Sequence, residues 1–303
     1  MIAQIYEIQT PAEAEKCIAL GVDRIGSVLL SEDAWKQPLL KEAIRLCDGT
    51  KTTNSLIPLI RKEDTLFKAL DYYRPHYAHF CENLTNGSAQ RKDLTGLIHL
   101  QQDLKEKFPE IGIVRSIPIP ASGTQGDFPF LEIASDMAPV SDLFLIDTWV
   151  GQEPVAGYIG ITGQTADRDM ARELVIQSTR PVLLAGGLSP GNVYDALLNV
   201  LPAGADSCTH TNQLDNAGKP IRFKKDFKKV ASFVQEVRRA EETIRKQKDS
   251  LRAKLEERRA ELKEREAALP AHSVRPHQIM AIEDLEEEIS AIESELKHLN
   301  KAL

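Results

Sequence analysis

Up to about Val237 the chain alternates short β-branched or apolar runs with amphipathic segments whose apolar residues recur every three or four positions. The runs Ile2–Ile8, Arg24–Leu30, Asn54–Ile60, Tyr77–Glu82, Ile111–Ile117, Leu143–Thr148, Pro181–Leu184 and Ala205–Thr209 predict eight strands. The amphipathic segments predict helices over Thr10–Leu20, Pro38–Leu46, Asp64–Tyr73, Arg91–Phe108, Phe130–Met137, Asp167–Ser178 and Pro190–Leu201. Thr10 and Glu13 have the spacing of a capping box, and Ser189 before Pro190 reads as an N-cap. An eighth helix is expected to begin around Lys224. Eight strands alternating with eight helices predict an α/β fold of the (β/α)8, or TIM, barrel type. An open doubly wound sheet is disfavoured, because no GxGxxG follows the first strand and the glycine-rich turns cluster late.

Beyond Val237 the pattern changes to heptads. Val230, Val237, Ile244 and Leu251 recur every seven residues, with Val234, Leu255 and Leu262 on the other seam and Glu241 and Lys248 interrupting it. This helix is expected to reach about Ala268, a length of ~65 Å. Pro270 and Pro276 bracket a break, PAHSVRP, after which Ile282, Leu285, Ile289, Ile292, Leu296, Leu299 and Leu303 alternate by three and four. The short connection favours an antiparallel coiled-coil hairpin, residues 238–303, on a barrel of residues 1–237. The same seam can also close between chains, so a homo-oligomer or a partner protein is an expectation for this extension.

Composition narrows the classes. A net charge of −7 on 303 residues argues against general binding of nucleic acid or anionic membranes. No run approaches the ~20 apolar residues of a membrane span, and no basic-then-apolar leader opens the chain. Cys17, Cys47, Cys81 and Cys208 are far apart, without CxxC or Cys/His ligand spacing. Reduced thiols, a cytoplasmic location and neither metal nor cofactor are expected.

The candidate chemistry lies at strand ends. Arg180–Val193, RPVLLAGGLSPGNV, runs from the seventh strand through Gly186 and Gly187 into a helix, which offers bare backbone N–H groups and a helix N-terminus to an anion. Barrels of this class often hold phosphate after strands seven and eight. Thr162 and Gly163 in GITGQTAD, and Ser207 and Thr209 in SCTHT, are the other predicted phosphate contacts. Asp147 ends the sixth strand and Glu7 the first, where partial burial tunes a carboxyl for proton transfer. His210 sits in a polar loop, with a surface position as its plainer reading, and Cys208 reads as packing.

IGITGQTAD, RPVLLAGGLSPGNV and GADSCTHT, with KKDFKKVASFV after them, resemble the second half of phosphoribosylanthranilate isomerases. LFLIDT matches the aspartate-bearing sixth strand of that family, and YEIQTPAEAEKCIALGVDRIGSVL resembles its opening. The resemblance covers about residues 1–237. It implies an Amadori rearrangement of an aminoaldose phosphate to an aminoketose phosphate, of the kind used in tryptophan biosynthesis. Asp147 would then protonate the ring oxygen, and a base would remove the C2 proton. The family base is a cysteine in a KxCG motif; here Glu7 takes the cysteine's place and Ile5 the lysine's. The related histidine-pathway isomerases place a carboxylate at the equivalent strand end. The family's Ser-Pro-Arg after strand two is replaced by SEDAWKQP, where Lys36 is the candidate for the lost charge, with His210 as a second substrate contact. Two other readings stand beside the isomerase: a phosphosugar barrel with a different substrate, and an inactive barrel serving as an assembly module through its coiled coil.

Overall fold

The computed structural model describes residues 1–124, 127–270 and 275–302. Eight parallel strands pair in chain order: β1 (Ile2–Ile5), β2 (Arg24–Leu29), β3 (Thr53–Pro58), β4 (Tyr77–Phe80), β5 (Gly112–Pro120), β6 (Leu143–Trp149), β7 (Val182–Leu184) and β8 (Gly204–Ser207). Closure is made by β1 against β8, with Ile2 opposite Gly204 and Ile5 opposite Ser207. The helices α1 (Pro11–Ala19), α2 (Pro38–Arg45), α3 (Glu63–Tyr73), α4 (Thr95–Lys107), α5 (Phe130–Met137), α6 (Arg168–Gln177) and α7 (Val193–Val200) follow the first seven strands. The expected barrel is the observed one.

Strand alternation divides the core. Ala3 and Ile5 of β1 face outward and pack with Ala14 and Cys17 of α1, whose first turn is fixed by the Thr10–Glu13 capping box. Gln4 and Tyr6 face inward. Val114, Leu143, Leu145, Leu183 and Ala185 form an apolar layer, but much of the remaining interior is polar and hydrogen-bonded. The Tyr6 hydroxyl lies 2.8 Å from Ser55 Oγ and 2.6 Å from His79 Nδ1, and His79 Nε2 lies 2.7 Å from Ser116 Oγ. Burial, reinforced by the charges of Arg115 and Arg24, pushes the His79 imidazole down to about 3, so it is neutral. Gly26 admits the Tyr6 ring, because a Cβ at that position would overlap it.

Several boundaries differ from the sequence reading, the fourth helix beginning at Thr95 and not Arg91, and three of the differences bear on the strand C-terminal ends. The strand expected over Ile2–Ile8 ends at Ile5, and Glu7 adopts a left-handed φ of 63°. The seventh helix begins at Val193, not Pro190: the N–H groups of Asn192 and Val193 both donate to the Ser189 carbonyl, and Asn192 Oδ1 accepts from Ser189 N–H. The eighth helix begins at Phe227, not Lys224, because the residues before it form an antiparallel hairpin of β9 (Asn212–Leu214) and β10 (Pro220–Lys225). Asp226 caps the helix by accepting from Lys228 N–H and Lys229 N–H.

That helix, α8 (Phe227–Ala267), has 41 residues and a length of about 60 Å. It starts beside the strand C-terminal ends and passes the opposite rim near Arg238, which donates to the carbonyls of Met1 and Gly21 and pairs with Asp23 at 2.6 Å. Glu241 pairs with the Met1 amino group at 2.5 Å. Val237, the expected domain boundary, therefore lies inside an unbroken helix. Beyond the rim, α9 (Pro276–Leu299) returns antiparallel, with Gln247 bonded to Glu295 and Lys254 to Glu288. Ile244, Lys248, Leu285, Ile292, Leu296 and Leu299 are buried on the seam, while Leu251, Leu255, Leu262, Ile282 and Ile289 are half-buried. Leu303, Gly126 and residues 271–274 of PAHSVRP lie outside the described residues.

Lys301 fastens the returning helix. Its Nζ donates to the Val175 carbonyl at 2.9 Å and the Ser178 carbonyl at 3.1 Å, and so caps the C-terminus of α6. Replacing Lys301 by methionine removes these donors while keeping the stem. It is expected to cost about 1 kcal/mol in urea denaturation.

Candidate functional site

Two adjoining cavities open at the strand C-terminal ends. The first is lined by the apolar side chains Ile57, Leu59, Val155 and Ile159 and by Tyr6, Glu7, His79, Cys81, Tyr158 and Arg222. The second is lined by Thr162, Gly163, Gly186, Gly187, Thr209 and His210. Asp147, Asp206, Ile161 and Cys208 line both. The two aspartates therefore stand at the junction.

The second cavity is built from two loops in backbone contact. Gly186 (φ 83°) turns the chain after β7 where a Cβ would overlap Thr148 Oγ1. A Cβ on Gly187 (φ 60°) would lie 2.8 Å from the Gln164 carbonyl carbon. Only glycine lets the turn after β7 sit this close to the loop after β6. Thr148 Oγ1 donates to the Gln164 carbonyl at 2.7 Å, and His210 Nε2 lies 3.1 Å from the Gly163 carbonyl. Among the described residues, none accepts a hydrogen bond from the backbone N–H groups of Gly163, Gly186, Gly187 or Thr209. Four free donors around one cavity make an anion cup. Ser207 does not join it. Its side chain is buried outside the barrel, and its hydroxyl donates to the Leu188 carbonyl at 2.8 Å.

Asp147 projects inward from β6. Its Oδ1 accepts from Thr148 N–H at 2.8 Å, and Gly160 (φ 104°) passes so close that a Cβ there would overlap Oδ2. Burial pushes this carboxyl up to about 7 against the Thr148 bond, with the Glu153 charge adding to the rise. Asp206 on β8 is 6% exposed, and its Oδ1 accepts from Gln4 Nε2 at 2.9 Å. Burial raises it too, to about 7, with the Asp147 charge in the same direction and Gln4, Lys225 and Arg24 opposing. Asp206 was not among the predicted site residues. The signal for it was strand parity, since Ala205 and Ser207 turn outward and leave it facing in.

Glu7 reaches the first cavity but is fully engaged. It is 1% exposed, its Oε1 accepts from Arg222 Nε at 2.8 Å, and its Oε2 accepts from Asn212 Nδ2 and Phe223 N–H, each at 3.0 Å. Burial alone would raise its carboxyl, but those three donors and the Lys225 charge outweigh it and hold the group below its ordinary value. Glu7 and Phe223 (φ 61°) both adopt left-handed backbone where the β9–β10 hairpin meets the end of β1. The residue expected to serve as a free base instead ties that hairpin down.

Lys36 is also displaced from its expected role. It is exposed, lines neither cavity, and places its ammonium 5.2 Å from the Tyr72 ring centroid. The guanidinium lining the first cavity is Arg222, from the unpredicted hairpin. Cys81 and Cys208 line the cavities, but burial pushes both thiols up, so they remain protonated at neutral pH. Among the described residues no His, Cys, Asp and Glu group is arranged to hold a metal ion, and no helix is long and apolar enough to cross a membrane.

No family model matches the chain. An N-(5'-phosphoribosyl)anthranilate isomerase of Methanosarcina mazei is 30% identical over 139 residues, 45% of this chain and 56% of that protein. The corresponding protein of Methanothrix thermoacetophila is 28% identical over 231 residues, 76% of this chain and 94% of that protein. The resemblance to phosphoribosylanthranilate isomerases is borne out. The chain spans about half the length of the first curated relatives it matches, 56% in the Methanosarcina mazei case. Among solved structures, the phosphoribosylanthranilate isomerase of Thermotoga maritima superposes with a TM-score of 0.57 at 17% identity, covering 78% of this chain and 99% of that one. Another, solved with reduced 1-(o-carboxyphenylamino)-1-deoxyribulose 5-phosphate, gives 0.55 at 16% identity over 78% and 99% of the two chains. These structures support the barrel fold.

Proposed function

We propose that the chain isomerises N-(5'-phosphoribosyl)anthranilate, converting an aminoaldose phosphate into an aminoketose phosphate. The observation that carries this reading is the place of Asp147, between a cup of unpaired backbone donors and an apolar cavity with a guanidinium at its edge. The phosphate would accept from Gly163, Gly186, Gly187 and Thr209 N–H, with Thr162 and His210 at the rim. The sugar would then cross the junction, where a neutral Asp147 can protonate the ring oxygen. The aromatic ring would enter the space lined by Ile57, Leu59 and Val155.

Arg222 offers a carboxylate its terminal nitrogens, since only its Nε is taken by Glu7. Its replacement by lysine keeps the charge but not the planar fork. KM is expected to rise about 10-fold to 100-fold with kcat changed far less, the range of one charge-assisted hydrogen bond.

Residues 1–237 carry this chemistry in the proposal, while residues 238–303 associate with a second copy or a partner protein, in the cytoplasm. The α8–α9 hairpin leaves the barrel at the rim opposite the cavities, which suits such a division. The test of the activity is direct. The purified full chain should consume N-(5'-phosphoribosyl)anthranilate and support growth of a tryptophan auxotroph lacking the isomerase. No turnover by a folded chain that still binds phosphate esters would overturn the reading in favour of a different phosphosugar substrate.

A further inference from the structure

The place of the catalytic base, which rests on the isomerase reading above, is set by how the two inward carboxylates and Glu7 are occupied. Glu7 has three donors on two oxygens and almost no exposure. Asp206 differs on each point. Gln4 holds only Oδ1, no described donor takes Oδ2, and the side chain lines both cavities beside Asp147. We propose that Asp206 is the general base that removes the C2 proton, and that Glu7 is a positioning residue that fastens the β9–β10 hairpin and aims Arg222.

The surroundings of the pair set the direction of proton flow. The two carboxyls line the same two cavities, and the charge of Asp147 raises Asp206, so one shared proton is favoured over ionisation of both. Asp206 faces the Gln4 donor from β1 and the Arg24 and Lys225 charges from β2 and β10, all of which favour its ionised form. Asp147 accepts from Thr148 N–H, which favours its ionised form, and faces the negative charge of Glu153, which favours its neutral form. In this assignment the catalytic cycle starts with the proton on Asp147.

The steps then balance without any co-reactant. Asp147 gives its proton to the ring oxygen as the C1–O bond breaks, and the nitrogen lone pair forms C1=N. Asp206 takes the C2 proton, and the C2–H electron pair forms C1=C2 as the nitrogen recovers its lone pair. The resulting enol loses its hydroxyl proton to Asp147, forming C2=O, while Asp206–H returns its proton to C1. Both carboxyls end as they began.

Steady-state kinetics of the full chain with N-(5'-phosphoribosyl)anthranilate, and exchange of the product's C1 hydrogen in D2O, test the assignment with Asp206→Asn, Asp206→Glu and Glu7→Gln. Asp206→Asn is expected to lose about 1,000-fold in kcat and in exchange, in the range of general-base removal. It is isosteric, and retained phosphate-ester binding shows that it has folded. Asp206→Glu should recover part of both rates. Glu7→Gln should raise KM and lower the melting temperature, with kcat falling by no more than about tenfold. A 1,000-fold loss in folded Glu7→Gln, with Asp206→Asn within tenfold of the parent, would overturn the assignment and make Glu7 the base. If the parent chain itself neither turns over nor exchanges, the isomerase reading fails and the base assignment falls with it.

Discussion

Asp147→Asn is expected to abolish turnover while making the protein more stable. The amide cannot deliver a proton to the ring oxygen, so kcat should fall about 1,000-fold to 10,000-fold, the upper part of the range for a general acid. In the parent chain the acid must be protonated, and its carboxyl sits at about 7. The rate should therefore decline as pH rises through about 7, and a residual rate in Asp147→Asn should lose that limb. Stability moves the other way. A carboxyl raised in the folded state from the ordinary 3.8 contributes fully below its unfolded value and loses that contribution as pH rises through the folded one. At neutral pH and above, the parent bears the cost of a poorly solvated ion at the junction and the amide does not. Thermal unfolding should thus show Asp147→Asn melting higher than the parent at pH 8, with the two converging near pH 4. Inactivity with a lowered melting temperature at pH 8 would instead make Asp147 a structural aspartate.

How much of this was legible follows from which residues carried a periodic signal. The barrel was, because eight β-branched runs and their intervening helices each repeat at the right period, and Thr10 with Glu13 marks α1 down to its cap. The glycine turn was legible as well, since Gly186 and Gly187 directly follow an apolar run, although the helix after them opens only at Val193. What failed has two physical causes. The first is parity. A one-residue difference in which side chains face in separates Asp206 from Ser207, and the hydroxyl that reads like a phosphate ligand lies outside the barrel. The second is the β9–β10 hairpin. PIRFKK does alternate, with Ile221 and Phe223 half-covered between exposed Pro220, Arg222 and Lys224, but two such positions make a short signal that a helix starting near Lys224 overrides. Yet that hairpin brings Asn212, Arg222 and the Phe223 N–H onto Glu7. Tertiary contacts, not local sequence, engage both oxygens of Glu7 and bring the Arg222 guanidinium to the edge of the first cavity.

Gly187→Ala should weaken phosphate-ester affinity about 100-fold, the loss of two charge-assisted hydrogen bonds at the low end of their range. The added methyl would lie 2.8 Å from the Gln164 carbonyl carbon and 2.9 Å from both the Gln164 and Gly163 oxygens. All three atoms are backbone, so no rotamer change relieves the contact. The turn after β7 must move off the loop after β6, and the donors on Gly163 and Gly187 then cease to converge. A left-handed φ costs alanine something in any case, and a control separates the two effects. Gly21 has φ 75°, close to the 60° of Gly187, but an added Cβ there meets nothing within 4 Å. It also lies at the opposite rim, beside Arg238. Gly21→Ala should lose about 1 kcal/mol of stability with phosphate binding unchanged. Isothermal titration with a ribose 5-phosphate ester, together with urea denaturation of both variants, gives the comparison. Equal, small effects of the two alanines on binding would show that the two glycines serve only backbone conformation, and that the cup does not hold the phosphate.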